Sequence, residues 1–218
     1  MITHMFLHGD FGHILGNMFA LWMFGSVLEN IWGPKRFLLF YILCGVGASV
    51  LHLLILSYEF VPMASDLMRL SQMSVSGSPD FNKAVLEYAK DHNIQLTRIL
   101  SENNVSFATP GIRAEIMELL TTYYNKTLNT ATLGASGAVF GIIMAFVYLF
   151  PNTLIYIYFF FPIKAKWLGI LYFSYELFFA VRNTAGDNVA RWAHVGGAIV
   201  GFILVYLWSK KERHNRWN

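Results

Sequence analysis

Ser136 in TLGASGAVFG, His194 in AHVGGAIVG, and His13 with Asn17 in HGDFGHILGN are the side chains of this sequence that could do chemistry. A serine hydroxyl is a poor nucleophile until a neighbouring imidazole takes its proton. His13 and Asn17, at i and i+4, share one helix face and form a pair of hydrogen-bond donors. Each motif also has a plainer reading. Gly-x-Ser-Gly packs helices, and a histidine inside a membrane serves equally as a hydrogen-bonding or ion-pathway residue. The nucleophile elbow of soluble hydrolases does not fit, because it reads Gly-x-Ser-x-Gly on a strand-to-helix turn and no alternating strand precedes Ser136. The elements that carry these residues must decide between the readings.

Those elements belong in lipid. The 218 residues are 56% hydrophobic and 13% charged, whereas soluble domains are about a quarter charged. Crossing a bilayer takes about 20 apolar helical residues. Five segments meet or approach that length, at residues 11–31, 37–56, 133–150, 167–181 and 189–208. The proline-broken stretch TLIYIYFFFPIKAKW reads as an interfacial element before the fourth. Between the second and third lies a region of mixed charge whose helical candidates, NKAVLEYAKDHN and RAEIMELLTTYYN, are amphipathic and too polar to span. The expected fold is an all-α membrane helix bundle. Residues 1–57 and 132–208 form its core, 58–131 a polar helical insertion and 209–218 a basic tail. Lys35 and Arg36, Lys164 and Lys166, and the C-terminal cations follow the first, third and fifth segments. By the positive-inside rule they share the cytoplasmic side, and the insertion lies outside.

With that orientation, the first, third and fifth segments begin on the outer side, and His13, Asn17, Ser136 and His194 all lie near those starts. Polar side chains in hydrocarbon face a bundle interior and mark function, and these four share one layer. Gly137 and Gly141 form a small-xxx-small face, as do Gly197 and Gly201, so two helices can approach closely enough for Ser136 and His194 to meet. No carboxylate is expected on the layer. Asp10 reads as surface, Asp187 as loop, and Glu176 as a helix-stabilising residue in the wrong half of its span. His52 reads as interfacial. The lone Cys44 provides neither a disulfide nor a metal cluster, so no cofactor or metal is expected, and the net charge of +3 gives no case for nucleic acid.

In this order, HGDFGHILGN, GASGAVFG and AHVGGAIVG resemble the rhomboid intramembrane serine proteases, over about residues 4–208 apart from the insertion. The resemblance implies a six-helix bundle with an active site open to the extracytoplasmic side. It also implies a Ser–His dyad that cleaves peptide bonds in or near transmembrane segments of single-span proteins. Ser136 then matches the nucleophile and His194 the general base. His13 and Asn17 match the oxyanion-binding side chains, His8 a further histidine, and Phe140 an aromatic that packs on the base. The family's first helix has no counterpart here, so a chain lacking that helix is expected. The expected membrane is a bacterial inner membrane. Two competing readings are a rhomboid-like pseudoprotease that binds transmembrane segments without cutting them, and a channel or transporter.

Overall fold

The computed structural model describes residues 11–92, 94–103, 106–107, 111–128, 135–157, 160–182 and 191–215. The chain divides into two compact units. Residues 1–54, 132–183 and 189–218 make the first, and residues 55–131 with 184–188 the second.

In the first unit, the leading apolar segment is helical from Phe11 to Trp32, as α1 (Phe11–Ala20), a π-helical turn (Leu21–Gly25) and α2 (Ser26–Trp32). Gly33 ends it with φ +77°, a conformation that glycine adopts without strain. Pro34 then opens α3 (Pro34–Ser76), at the first helical position, where its missing N–H costs nothing. The remaining elements of this unit are α7 (Ser136–Leu149), an antiparallel hairpin of β1 (Leu154–Ile157) and β2 (Phe161–Lys164), α8 (Ala165–Arg182) and α9 (Arg191–Asn215). Over their described residues, all five apolar segments are therefore essentially helical. Among the described residues, three helical stretches are long and apolar enough to cross a membrane: Phe11–Trp32, Pro34–Ser76 and Arg191–Lys211. The shorter α7 is the buried centre, with every residue from Ser136 to Ile142 buried. α8 turns Trp167, Ile170, Leu171, Phe178 and Val181 outward, which suits a lipid-facing helix, since hydrocarbon does not penalise apolar exposure.

Small residues set the spacing of the central helices. A Cβ added to Gly141 would lie 2.6 Å from the Cys44 Cβ and 3.0 Å from the Gly197 carbonyl oxygen, and one added to Gly201 would lie 2.6 Å from the Gly141 Cα. So α7 and α9 meet backbone to backbone, and α3 packs the Cys44 and Ala48 side chains against the glycines of α7. Below them Phe24, Leu28, Phe40, Ile142, Phe146 and Val205 fill the core. Arg36 lies over the Trp208 ring at 4.4 Å, beside the Trp32–Trp208 edge contact.

Two elements differ from the sequence reading. The interfacial stretch forms a hairpin, pairing Leu154 with Lys164 through Ile157 with Phe161. Helix α3 also runs on to Ser76, well past residue 56. The change of composition after that point marks a change of surroundings and does not break the helix, which continues even through Pro62, where one backbone N–H is missing from the hydrogen-bond ladder.

The second unit contains the later part of α3 with α4 (Phe81–Asp91), α5 (Leu96–Glu102) and α6 (Ile112–Leu128). Its own core includes Leu70, Phe81, Val85, Ile116 and Leu120. Helices α4 and α6 fall on the two amphipathic candidates; α5 is additional. Asp66 and His92 meet at 3.1 Å, and Arg113 lies over the Phe81 ring at 5.2 Å.

Candidate functional site

Ser136 is the first residue of α7. That helix has 14 residues and so a length of about 21 Å at 1.5 Å per residue, against a hydrocarbon core of about 30 Å. The helix is therefore shorter than the hydrocarbon core is thick. The first N–H groups of a helix have no partner within it, and the helix dipole is positive at that end. The serine therefore stands at the positive end of its helix.

His194 lies in the first turn of α9, and the glycine contact between α7 and α9 brings it to Ser136. Its Nε2 is 2.9 Å from Ser136 Oγ. Both residues are buried, at 5% exposure for Ser136 and 8% for His194. The imidazole stacks on Phe140 with ring centroids 4.3 Å apart and planes 8° from parallel, and Phe140 in turn packs against Tyr172 at 4.8 Å.

The opposite edge of the ring departs from expectation. His194 Nδ1 is 3.1 Å from Glu176 Oε2, and Arg191 Nη1 donates to that same oxygen at 3.3 Å. Glu176 is 4% exposed. The expectation that no carboxylate reaches this layer is therefore corrected. Its error was one of direction. α8 starts at the hairpin and Lys166, so Glu176, ten residues further along, lies in the half of the helix remote from those cations. That position allows it to meet a histidine near the start of α9. Arg191 was also missed; its signal is the i, i+3 spacing from His194, which puts both side chains on one face.

On α1, Asn17 is 7% exposed, and its buried Nδ2 has no hydrogen-bond partner among the described residues. Asn17 and the half-buried His13 line a cavity of about 470 Å³ together with Ser136, His194, Phe140 and Tyr172. Its remaining walls are mainly apolar and include Met23, Phe24, Ile143 and Leu168. This size falls within the range of small-ligand pockets. The π-helical turn directly follows α1, and such turns recur beside functional sites. His52 is half-buried on α3 and does not line the cavity. His8, Asp10 and Asp187 lie outside the described residues. Among those described, no group of histidine, cysteine and carboxylate side chains could hold a metal ion.

The chemistry open to this arrangement is acyl transfer. A hydroxyl faces an imidazole nitrogen, an orphan amide donor lines the same cavity, and an apolar pocket adjoins both. Comparison with known proteins gives the family. The family model described as Rhomboid domain matches residues 1–65 and 100–211. The chain is 28% identical over 204 residues to the mitochondrial RHOMBOID-like protein 12 of Arabidopsis thaliana, covering 93% of this chain and 44% of that one. It is 25% identical over 218 residues to an uncharacterized mitochondrial rhomboid protein of Schizosaccharomyces pombe, covering 97% and 52%. It is 24% identical over 226 aligned positions to the mitochondrial Rhomboid protein 1 of Saccharomyces cerevisiae, covering 99% and 44%. The chain thus spans about half the length of the curated relatives it matches. No solved structure gives a significant match.

Proposed function

This chain belongs to the rhomboid family of membrane proteins, and on that premise we propose that it is an intramembrane serine endopeptidase. The observation that carries the reading is the buried 2.9 Å contact between Ser136 Oγ and His194 Nε2. His194 takes the hydroxyl proton as Oγ attacks the carbonyl carbon of a substrate peptide bond. Negative charge then develops on the carbonyl oxygen. Asn17 Nδ2, the His13 side chain and the first-turn N–H groups of α7 are the donors for it, and their fixed positions act where charge appears. Collapse of the intermediate breaks the C–N bond, and His194 returns the proton to the leaving amine. Water then repeats the sequence on the acyl-enzyme, with His194 again as base.

The walls of the cavity support a substrate segment that is itself apolar. The proposed substrates are therefore single-span proteins, cut where small residues let a helix unwind into the site. The chain is a membrane protein. The expectation of a bacterial inner membrane gains no support from relatives whose names place them in mitochondria. What remains proposed is the orientation, with the Ser136 side opposite the cations at Lys35, Arg36 and Lys166.

The test is labelling of the detergent-solubilised chain with a fluorophosphonate, beside Ser136→Ala and His194→Ala. Labelling of the parent that both variants abolish supports the peptidase. An unlabelled parent that still retains single-span peptides would instead establish a binding protein without proteolysis.

A further inference from the structure

We infer that Glu176 is the positioning residue for His194, held in place by Arg191, so that the catalytic pair works as part of a four-residue chain across α7, α9 and α8. The inference rests on the peptidase reading above. Three observations carry it. One Glu176 oxygen meets both His194 Nδ1 and Arg191 Nη1, at 3.1 Å and 3.3 Å. The carboxylate is buried, and the guanidinium supplies the opposite charge that such burial requires. Arg191 is itself fixed, lying over the Tyr175 and Phe179 rings at 5.5 Å and 5.1 Å.

A carboxylate only accepts hydrogen bonds, so its contact with Nδ1 keeps the proton on that nitrogen. Nε2 then presents its lone pair to the Ser136 hydroxyl, the form a general base requires. The stacking on Phe140 cannot make this choice. Turning the ring by half a revolution about its Cβ–Cγ bond leaves it in the same plane against Phe140, yet removes both nitrogens from their partners. Only a directional acceptor at Nδ1 distinguishes the two orientations. When His194 takes the serine proton it becomes an imidazolium, and the carboxylate faces that new charge. The proton on Nδ1 stays there throughout, and Glu176 touches no reacting atom.

Glu176→Gln keeps the shape and removes the charge. An amide can also donate to Nδ1, which would hold the ring in the wrong tautomer; in a well-studied soluble triad the corresponding change costs about 10⁴-fold in kcat. With a quenched-fluorescent single-span peptide, kcat is expected to fall by roughly 10²- to 10⁴-fold while KM stays within about twofold. The rate of fluorophosphonate labelling should fall in parallel. Glu176→Asp, which keeps the charge on a shorter arm, should recover part of the rate. In a Ser136→Ala background, Glu176→Gln should leave peptide binding unchanged, which a merely structural role would not predict. If Glu176→Gln fails to fold because Arg191 is left buried without a counter-charge, the pair Glu176→Gln/Arg191→Met removes both charges together. Parent-like kcat in either folded variant overturns the inference and leaves the peptidase standing. A parent that neither labels nor cleaves overturns both.

Discussion

Gly197→Ala adds one methyl group where α7 and α9 touch, and the structure sets how far the helices must yield. The new Cβ would lie 2.6 Å from the Gly137 carbonyl carbon, and closer still to its oxygen. Carbon atoms in contact sit at about 3.5–4.0 Å, so the two backbones must part by roughly 0.9 Å or more at this point. The obstacle is backbone, so no rotamer change relieves it. Gly137 is the neighbour of Ser136, and His194 lies one turn before Gly197. Carried to the site, the same displacement stretches the 2.9 Å Oγ–Nε2 contact toward about 3.8 Å, beyond hydrogen-bond reach. Overpacking of this kind costs about 1–3 kcal/mol of stability, and misplacing reacting groups by about 1 Å costs about 10²-fold in rate. The assay is the second-order rate of fluorophosphonate labelling, measured beside a thermal melt of the same preparation. Expected are a melt lowered by several degrees with the helix content retained, and labelling slowed about 100-fold. Labelling at the parent rate would refute the argument that the glycine contact sets the distance between nucleophile and base.

Two other expectations concern buried polar atoms with no hydrogen-bond partner among the described residues. Asn17→Ala should lower kcat by roughly 10²- to 10³-fold, as for the loss of one oxyanion donor, with little change in KM; because Nδ2 has no partner among the described residues of the free protein, the melting temperature should stay close to the parent value, and unchanged kcat would remove Asn17 from the oxyanion role. In the second unit, burial pushes the Tyr88 hydroxyl up from its ordinary pKa, so the folded state holds a proton that the unfolded chain releases near pH 10. This contribution is fully present below about pH 10 and is lost as pH rises above it; denaturant unfolding of Tyr88→Phe should show a flatter alkaline limb than the parent, and identical limbs would contradict the assignment.

The residues of the proposed site were legible in the sequence because a bilayer makes buried polarity conspicuous. Ser136, His194, His13 and Asn17 stand out against apolar runs, and their nearness to the ends of three segments opposite the cation clusters can be counted from the sequence alone. The glycines one turn apart likewise announce a close helix contact, because small-xxx-small spacing leaves a flat face in any membrane helix. The same arithmetic, followed along the fourth segment from Lys166, also brings Glu176 into the half of its helix remote from that cation. Depth along a helix is a matter of counting residues, and the sequence supplies the count.

Rotation about each helix axis and the pairing of neighbours belong to the tertiary structure. Whether Glu176 faces lipid, another helix or the histidine depends on how α8 turns against α7 and α9, and side-chain packing across three segments sets that angle. The π-helical turn after α1 and the continuation of α3 to Ser76 were equally out of reach. The first shifts a helix face by less than one residue, and the second lies where polarity changes while the backbone does not. The sequence by itself marked Ser136, His194, His13 and Asn17 as polar groups within apolar segments. Only the packed helices decided that Ser136, His194, Glu176 and Arg191 stand in one hydrogen-bonded line, because that line depends on contacts between residues far apart in the chain.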